Sequence, residues 1–345
     1  MNLPVALTVG DYNGIGPEVL LKALRRPSVS QLCTPVLIGP ESVFAYYARK
    51  LHIRMRFRTI ETPLSGEAFL RHIARKDSAV PVIQPASGPV HDVSPGEVDA
   101  DAGRAAARAI EEATALALSG RVGAIVTAPI SKLALHKAGV GFPGHTELLQ
   151  HLTSSPSSAM MLVSRKMKVG LITIHVPLKD VSHTLTPSLL RERLLVIHEA
   201  LVRMWGIRHP RLALLGLNPH AGESGDLGSE EREVIVPVMQ ELALGGMRLE
   251  GPFASDAFFG RYTPGMFDAV VAMYHDQGLI PLKMSSSHTG VNVTAGLPIV
   301  RTSPGHGTAF EIAGKGEADP RSMVEAVKLA VSLARNRAKF ARRTR

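Results

Sequence analysis

The chain has 345 residues, of which 45% are hydrophobic and 20% are charged, and its formal net charge is +9. That length is enough for two domains, and that composition is typical of a globular protein with a large core. A single cysteine, Cys33, excludes an intrachain disulfide and CxxC metal or redox motifs, so a reducing cytoplasm is the expected location.

Short apolar runs alternate along the chain with segments of helical periodicity. The predicted strands are residues 5–9, 35–38, 80–83, 123–127, 159–163, 169–175, 212–217 and 269–273. The predicted helices are residues 17–25, 41–50, 101–118, 146–152, 187–204, 229–244 and 320–339. This alternation favours an α/β protein with mostly parallel strands, whose ligands bind beyond the carboxyl ends of the strands. Polar or glycine-rich loops are predicted at residues 139–144, 218–228 and 284–296.

A glycine-rich turn, GDYNGIGP at residues 10–17, joins the first strand to the first helix. Pro17 suits the first position of a helix, where the missing N–H has no cost. A GxGxxG dinucleotide motif starting at Gly14 requires a third small residue at position 19, where the chain has Val19. The Rossmann fingerprint is therefore absent. A dinucleotide, if bound, requires a different kind of binding loop.

The sequence GHTELL at residues 144–149 opens a predicted helix with Thr146 as its expected N-cap. Helix N-termini bind anions through their free N–H groups, and a phosphate or carboxylate also suits lysine and arginine side chains. Lys283, Asn292 and Arg301 are the candidates in the later part of the chain. Alternatively, Thr146 is an ordinary helix cap. Lys283 and Arg301 are then ordinary surface charges, and Asn292 is an ordinary loop amide.

Three histidines, His175, His220 and His275, each follow a predicted strand. Because the carboxyl ends of parallel strands lie along one edge of a sheet, these imidazoles can approach each other. Three neutral imidazoles with one open position form a catalytic divalent-metal site, and they favour zinc or cobalt over magnesium. Asp276, beside His275, is a candidate proton carrier or orienting carboxylate. The chain has 14 histidines, so hydrogen-bonding residues at strand ends remain the alternative.

Residues 302–320, TSPGHGTAFEIAGKGEADP, form the most distinctive stretch of the chain. They resemble the His-Gly-x-Ala…Ile-Ala-Gly-Lys-Gly-x-Ala-x-Pro loop of the isocitrate and isopropylmalate dehydrogenases. Those enzymes bind a dinucleotide at this loop without a Rossmann fingerprint. The resemblance implies NAD or NADP bound by His306, Gly307, Thr308 and Gly314.

Motifs along the whole chain resemble the 4-hydroxythreonine-4-phosphate dehydrogenase family of pyridoxal phosphate biosynthesis. They lie at residues 10–18, 127–132, 143–147, 173–178, 216–223, 273–278 and 290–316. The resemblance implies an isopropylmalate-dehydrogenase-like fold of two α/β/α domains with a cleft between them. Residues 1–130 with 285–345 are expected to form the cofactor-side domain. Residues 131–284 are expected to carry the metal ligands and a homodimer interface.

Residue by residue, the resemblance implies the following roles. His175, His220 and His275 bind one divalent cation (Zn, Co, Mg or Mn), one of them from across the homodimer interface. The substrate is bound by His145, Thr146, Lys283, Asn292 and Arg301. The acid–base candidates are Asp256, Asp276 and Lys283.

The implied reaction is metal-dependent NAD(P) oxidation of 4-phosphohydroxy-L-threonine to 2-amino-3-oxo-4-phosphooxybutanoate. That product decarboxylates to 3-amino-2-oxopropyl phosphate in pyridoxine 5'-phosphate biosynthesis. Sister dehydrogenases of threonate or erythronate 4-phosphate and a dihydrodiol dehydrogenase share the motifs. Phosphate acyltransferases share the fold but require neither the histidines nor NAD. The family usually has Pro-Ala where this chain has Tyr12 and Asn13. This difference leaves open which of the related substrates the chain uses.

Six cations lie in the C-terminal tail: Arg335, Arg337, Lys339, Arg342, Arg343 and Arg345. Cations near a helix C-terminus are favourable, so we expect a solvated basic helix end. Nucleic-acid binding calls for interleaved aromatic residues, and no such partner is expected. No apolar run approaches the roughly 20 residues that span a bilayer, so no membrane partner is expected either.

Overall fold

The computed structural model describes residues 2–60, 66–73, 77–85, 92–286 and 289–343. The chain divides into two compact units. The first consists of Met1–Pro156 with Leu297–Arg335, and the second of Ser157–Gly296 with Asn336–Arg345. Among the described residues, none of the helices combines the length and the hydropathy that a membrane-spanning segment requires.

Strands and helices alternate along most of the chain. The strands are β1 (Leu3–Thr8), β2 (Cys33–Ile38), β3 (Arg56–Ile60), β4 (Ala79–Ile83), β5 (Ala124–Thr127), β6 (Ala159–Val163), β7 (Lys168–Leu171), β8 (Arg211–Leu215), β9 (Arg248–Phe253), β10 (Ala269–Ala272), β11 (Val291–Ala295) and β12 (Arg301–Pro304). The helices are α1 (Gly16–Leu24), α2 (Pro27–Ser30), α3 (Glu41–Lys50), α4 (Gly66–Ile73), α5 (Ala100–Leu118), α6 (Lys132–Lys137), α7 (His145–Leu152), α8 (Val181–Thr184), α9 (Pro187–Arg203), α10 (Val236–Leu244), α11 (Ser255–Arg261), α12 (His275–Ser286) and α13 (Arg321–Arg343).

The first unit contains strands in the order β3-β4-β2-β1-β5-β12, and their pairs are parallel. Residues 5–8 of β1 and all of β5 are buried, as expected for central parallel strands covered on both faces. Helix α5 buries Ala102, Ala106, Ala109 and Ala113, whose spacing of three or four residues places them on one face. At Gly103, a Cβ atom would collide with the Ala134 carbonyl, so glycine permits the close packing of α6 on α5.

The second unit contains strands in the order β11-β6-β7-β10-β8-β9. Strand β6 is antiparallel to both β11 and β7, and the remaining pairs are parallel. An apolar cluster packs on these strands, and it includes the aromatic side chains of Phe258 and Phe267 with Val270 of β10. Helix α12 packs on β7 and β10, so the strand ends of this unit are held by a buried core.

The predicted α/β class is confirmed, and each predicted strand overlaps an observed one. Four strands were not predicted: β3, β9, β11 and β12. The predicted strands at 169–175 and 212–217 end early, at Leu171 and Leu215. The predicted helix at 229–244 is a π-turn, Glu231–Ile235, followed by α10. The loop predicted at 284–296 contains the end of α12 and all of β11.

The boundaries between the two compact units lie at Pro156–Ser157 and Gly296–Leu297. The expected domain boundaries were after residues 130 and 284. Local packing accounts for the difference. Helices α6 and α7 pack against α5 of the first unit, which carries residues 131–152 with it. Strand β11 pairs with β6, which keeps residues 291–295 in the second unit.

Candidate active site

Three adjacent parallel strands of the second unit each lead to one of the predicted histidines. The order β7-β10-β8 is part of the sheet, and both pairs are parallel. His175 follows β7, His275 follows β10, and His220 follows β8. Neighbouring strands are about 4.8 Å apart, so the sheet brings three imidazole-bearing segments to one edge.

The segments that carry His175 and His275 stay paired beyond the strands. Ile172 N–H donates to the Ala272 carbonyl at 3.0 Å. The Thr173 hydroxyl donates to the Met273 carbonyl at 2.7 Å, and Thr173 N–H donates to the same oxygen at 3.2 Å. The two imidazole rings consequently lie with their centroids 5.7 Å apart and their planes 41° from each other.

His275 is the first residue of α12, and the next residue holds its ring. The Asp276 carboxylate Oδ1 lies 2.7 Å from His275 Nδ1. Because a carboxylate accepts the Nδ1 proton, Nε2 is the nitrogen that keeps a lone pair for a ligand. This arrangement fits a metal-binding histidine oriented by a carboxylate. In the described part of this single chain, no group of three or more His, Cys, Asp or Glu residues is close enough to hold a metal ion.

His220 lies in a backbone segment of unusual conformation. Five consecutive residues after Pro219 have left-handed backbone: φ is 52° at His220, 53° at Ala221, 80° at Gly222, 44° at Glu223 and 60° at Ser224. Left-handed backbone costs a non-glycine residue about 1–2 kcal/mol. Such strain persists only where neighbouring groups enforce it, and it is typical of functional sites.

The buried Glu231 carboxylate holds the residues that lead into this turn. Its Oε1 accepts the N–H groups of Leu217 and Asn218 at 2.7 and 2.8 Å, and its Oε2 accepts Asn218 Nδ2 at 2.9 Å. The Glu230 carboxylate also accepts Asn218 Nδ2, at 2.7 Å, and this hydrogen bond lowers the pKa of Glu230. Hydrogen bonds to charged groups contribute about 1.5–3 kcal/mol each, enough to offset much of the strain in the turn.

The acid–base candidates lie on two helices. Asp256 is on α11, and Asp276 and Lys283 are on α12. Asp256 is in the first turn of α11, next to Ser255, whose hydroxyl accepts a 2.8 Å hydrogen bond from Gln277 Nε2. Asp276 and Lys283 are both exposed and are seven residues apart on α12, so they lie on the same face of that helix.

Asn292 lies on β11, opposite Leu162 of β6. Its side chain is half-buried, and its Oδ1 atom is buried with no hydrogen-bond partner among the described residues. Buried polar atoms normally have a partner. A side-chain amide oxygen that still lacks a described hydrogen-bond partner is consistent with the predicted substrate-binding role of Asn292.

His145 and Thr146 begin α7, but not with the predicted cap. The helix starts at His145, its N-cap is Gly144, and no side chain caps it. Thr146 is therefore the second helical residue, and its prediction as N-cap was wrong. Nε2 of His145 is buried without a partner among the described residues. Burial, and then the positive charge of Arg301, lower the pKa of His145 well below its usual value, so the imidazole is neutral at pH 7.

Arg301 is a buried cation at the start of β12, with 1% of its surface exposed. Its Nε and one terminal nitrogen both donate to the Thr127 hydroxyl, at 3.1 and 2.7 Å. Burial lowers the pKa of Arg301 to about 9, which leaves the guanidinium charged at pH 7. A fixed buried cation near a neutral imidazole is suited to an anionic ligand.

The loop after β12 contains His306, Gly307, Thr308 and Gly314. His306 Nδ1 lies 3.1 Å from the Gly307 carbonyl, whereas its buried Nε2 has no partner among the described residues. Burial lowers the pKa of His306. No atom of the described residues lies within 4 Å of a Cβ placed at Gly307, so as far as these residues go a ligand can reach the backbone there. A glycine backbone that a ligand can reach, next to a buried imidazole nitrogen without a described hydrogen-bond partner, fits a dinucleotide-binding loop.

Several residues that organise these groups were not predicted. Thr127 holds Arg301, Glu231 holds the His220 turn, and Gln277 lies two residues beyond His275. The only sequence signal was that Thr127 ends a strand and Gln277 follows the His-Asp pair. Nothing in the sequence distinguishes Glu231 from the other acidic residues beside it.

Proteins of known name match nearly the whole chain. A 4-hydroxythreonine-4-phosphate dehydrogenase of Bacteroides thetaiotaomicron is 40% identical over 334 residues, covering 96% of this chain and 89% of the relative. A D-threonate 4-phosphate dehydrogenase of Cupriavidus necator is 42% identical over 339 residues, covering 97% and 99%. The crystal structure of a 4-hydroxythreonine-4-phosphate dehydrogenase from Klebsiella pneumoniae superposes with a TM-score of 0.83 at 40% identity, covering 97% and 98%.

These matches confirm the family resemblance and the dehydrogenase class, which uses a nicotinamide cofactor. The family model described as pyridoxal phosphate biosynthetic protein PdxA matches residues 31–330. The chain therefore belongs to the PdxA family of pyridoxal phosphate biosynthetic proteins.

Proposed function

We propose that the chain oxidises 4-phosphohydroxy-L-threonine at its C3 hydroxyl, with NAD or NADP as oxidant and one bound divalent cation. The product, 2-amino-3-oxo-4-phosphooxybutanoate, is a β-keto acid, and loss of CO2 gives 3-amino-2-oxopropyl phosphate. The reaction belongs to pyridoxine 5'-phosphate biosynthesis. The names of relatives at 40–42% identity support the substrate class.

One observation carries the metal-dependent part of the proposal: β7, β10 and β8 are adjacent, and each is followed by one of His175, His275 and His220. The Asp276–His275 hydrogen bond supports it, because it leaves Nε2 available. His175, His220 and His275 would hold the cation, and three imidazoles favour zinc or cobalt over magnesium and manganese.

A cation held by His175, His220 and His275 would supply polarisation of the C3 oxygen, and the nicotinamide would supply the acceptor for the C3 hydride. The remaining task for the protein is to accept the hydroxyl proton. Asp276 is engaged with the His275 ring, which favours Lys283 and Asp256 as the proton acceptors. Oxidation thus sends one hydride to NAD(P) and one proton to a side chain of the protein.

The anionic ends of the substrate require fixed donors. Arg301, held by Thr127, supplies a buried positive charge, and the neutral His145 supplies a ring nitrogen that has no hydrogen-bond partner among the described residues. Thr146 and Asn292 add a hydroxyl and an amide. Lys283 adds an ammonium group if Asp256, and not Lys283, is the proton acceptor. Orienting the substrate in this way accounts for a large share of a catalytic effect without covalent chemistry.

We also propose a homodimer that shares its active sites. Large exposed apolar side chains follow each of the three histidine positions: Leu178 (73% exposed) follows His175, Leu227 (44%) follows His220, and Met284 (81%) lies on the helix that begins at His275. A contiguous patch of exposed apolar groups marks an association surface, and we propose that these three side chains contribute to one. Light scattering of the purified chain tests this directly, and a monomer at micromolar concentration would contradict it.

D-threonate 4-phosphate is the second candidate substrate, since a relative of that name is 42% identical to the chain. The two compounds differ at C2, where one carries an amine and the other a hydroxyl group. The test is NAD(P) reduction at 340 nm with each compound, with and without chelator. We expect kcat/KM at least about tenfold higher for 4-phosphohydroxy-L-threonine, which corresponds to about 1.4 kcal/mol. The reverse preference would assign the second function.

A further inference from the structure

A buried ion pair on the first helix lies outside the groups described so far. Glu18 of α1 is fully buried, and Lys22, one turn later, places its Nζ 2.7 Å from Glu18 Oε1. Removing a carboxylate from water is costly unless its partner and its hydrogen bonds compensate. A fully buried carboxylate in this position therefore needs several well-placed donors.

Those donors come from the loop that follows β12. Ala318 N–H donates to Glu18 Oε1 at 2.9 Å, and Gly316 N–H donates to Glu18 Oε2 at 3.3 Å. Lys22 Nζ donates to the carbonyls of Gly316 and Ala318, both at 2.8 Å. Together, Glu18 and Lys22 thus bind the N–H and the carbonyl group of both Gly316 and Ala318. These hydrogen bonds fix the two loop residues against α1.

The beginning of the same loop is bound by the start of α1. Ile15 N–H donates to the Thr308 carbonyl at 2.9 Å, and Gly14 packs so closely on Thr308 that a Cβ atom would lie 2.9 Å from that carbonyl. Between these two anchors the backbone is left-handed at Ala309 (φ 43°), Gly314 (φ 71°) and Gly316 (φ 79°). Glycine adopts this backbone freely, so Ala309 is the strained residue of the three, and a strained residue persists where its surroundings hold it.

We infer that Glu18 and Lys22 are positioning residues for the dinucleotide. They hold residues 306–318 in the conformation that binds NAD(P), without touching the cofactor themselves. The inference rests on the proposed role of His306, Gly307, Thr308 and Gly314 in cofactor binding. If the loop is ordered only part of the time, the apparent dissociation constant rises by the inverse of the ordered fraction, whereas the chemistry in the ordered state is unchanged.

The test uses Lys22→Met and Glu18→Gln in the full-length protein. Glu18→Gln leaves no unpaired charge in the buried position, so it is the variant better suited to folding, whereas Lys22→Met leaves the buried Glu18 carboxylate without its cation. Lys328→Met is the matched control, because Lys328 forms a helical ion pair with Glu325 at 3.0 Å and is similarly exposed, but lies on α13. NADH affinity is measured by fluorescence titration, and KM and kcat are measured with NAD(P) as the varied substrate.

We expect Lys22→Met and Glu18→Gln to raise the NADH dissociation constant and the KM for NAD(P) about tenfold. At saturating cofactor, kcat should fall at most about twofold, and Lys328→Met should match the wild type. Unchanged NADH affinity in Lys22→Met, or a loss confined to kcat, would overturn the inference. If the wild type itself bound no NADH, the proposed cofactor site would fail instead, so the two failures are distinguishable.

Discussion

The side-chain amide of Gln277 donates a 2.5 Å hydrogen bond to the backbone carbonyl of Gly216. Its Oε1 accepts the Met273 N–H at 2.6 Å. One buried amide therefore joins the turn before His275 to the strand end before His220. These residues are far apart in sequence, so a side chain outside the predicted ligand set links the segments that lead to two predicted metal ligands.

Gln277→Leu should weaken metal binding more than its loss of stability explains. The change leaves the Met273 N–H and the Gly216 carbonyl buried without their partner, which costs about 1–3 kcal/mol for each group. We expect metal affinity, measured by competition with a chelating dye, to fall at least about tenfold in protein that remains folded. Gln240→Leu on the exposed face of α10 is the control. Unchanged metal affinity with reduced stability would limit Gln277 to packing.

Gly222→Ala should destabilise the His220 turn. Gly222 has φ 80°, and a Cβ atom there would lie 2.7 Å from Glu231 Oε2, so the carboxylate that holds the turn must move. The control is Gly246→Ala, where φ is 92° and no atom of the described part of the chain lies within 4 Å of the added Cβ. Both variants bear the left-handed backbone cost of about 1–2 kcal/mol.

Urea unfolding and metal titration compare these two glycine variants. Gly222→Ala should lose about 1–2 kcal/mol more stability than Gly246→Ala, because it also disturbs hydrogen bonds to a carboxylate. It should also bind metal more weakly, whereas Gly246→Ala should bind it normally. Equal losses of stability and equal metal affinities in the two variants would mean that Glu231 does not hold the turn.

Thr127→Val should raise the KM for the phosphorylated substrate. Valine has the shape of threonine but removes the oxygen that accepts two hydrogen bonds from Arg301. We expect the KM to rise about tenfold, with the KM for NAD(P) unchanged. Thr302→Val is the control, because Thr302 is equally buried but donates to the Ala326 carbonyl. An effect of the same size in both variants would assign the change to core packing.

Asp11→Asn should remove a pH-dependent loss of stability. Burial raises the pKa of Asp11 to about 6 from 3.8, so the folded state holds this proton more tightly than the unfolded state. Folding stability from this group is therefore complete below pH 4 and is lost as the pH rises through 6. Asparagine keeps the Oδ1 that accepts the Asn13 N–H and introduces no charge.

We expect the free energy of unfolding of Asp11→Asn to exceed that of the wild type by up to about 3 kcal/mol at pH 8, because one pKa unit corresponds to about 1.4 kcal/mol. The two proteins should converge at pH 4. Because His145 is unchanged, its opposite dependence on pH cancels in this comparison. Urea unfolding from pH 4 to 8 measures the difference, and parallel curves would show that Asp11 is not the group responsible.

The sequence predicted the buried strands and missed the strands with polar or atypical residues. Strands β3 and β9 begin with Arg56 and Arg248 and lie at the ends of their strand orders, where exposure tolerates charge. Strand β12 begins with Arg301, whose burial depends on Thr127, which is far away in sequence. A periodicity argument cannot detect such a partner, because it considers only neighbouring residues.

The site shows the same division between local and distant causes. The strand-end positions of the three histidines follow from local patterns, and the observed order β7-β10-β8 agrees with their expected alignment. The left-handed turn at His220 could not be predicted, because Glu231, which binds the residues leading into it, lies outside the turn. The cap of α7 was mispredicted because Gly144 takes that position with extended backbone and no side-chain hydrogen bond.

The central claim is that turnover requires one divalent cation bound by His175, His220 and His275. The measurement is NADH formation from 4-phosphohydroxy-L-threonine by chelator-treated protein, titrated with Zn²⁺ or Co²⁺ while bound metal is counted. We predict no turnover without metal, full activity at one cation per chain, and neither binding nor turnover in folded His220→Ala. Full activity of the metal-free wild type, or wild-type metal binding by His220→Ala, would contradict the account.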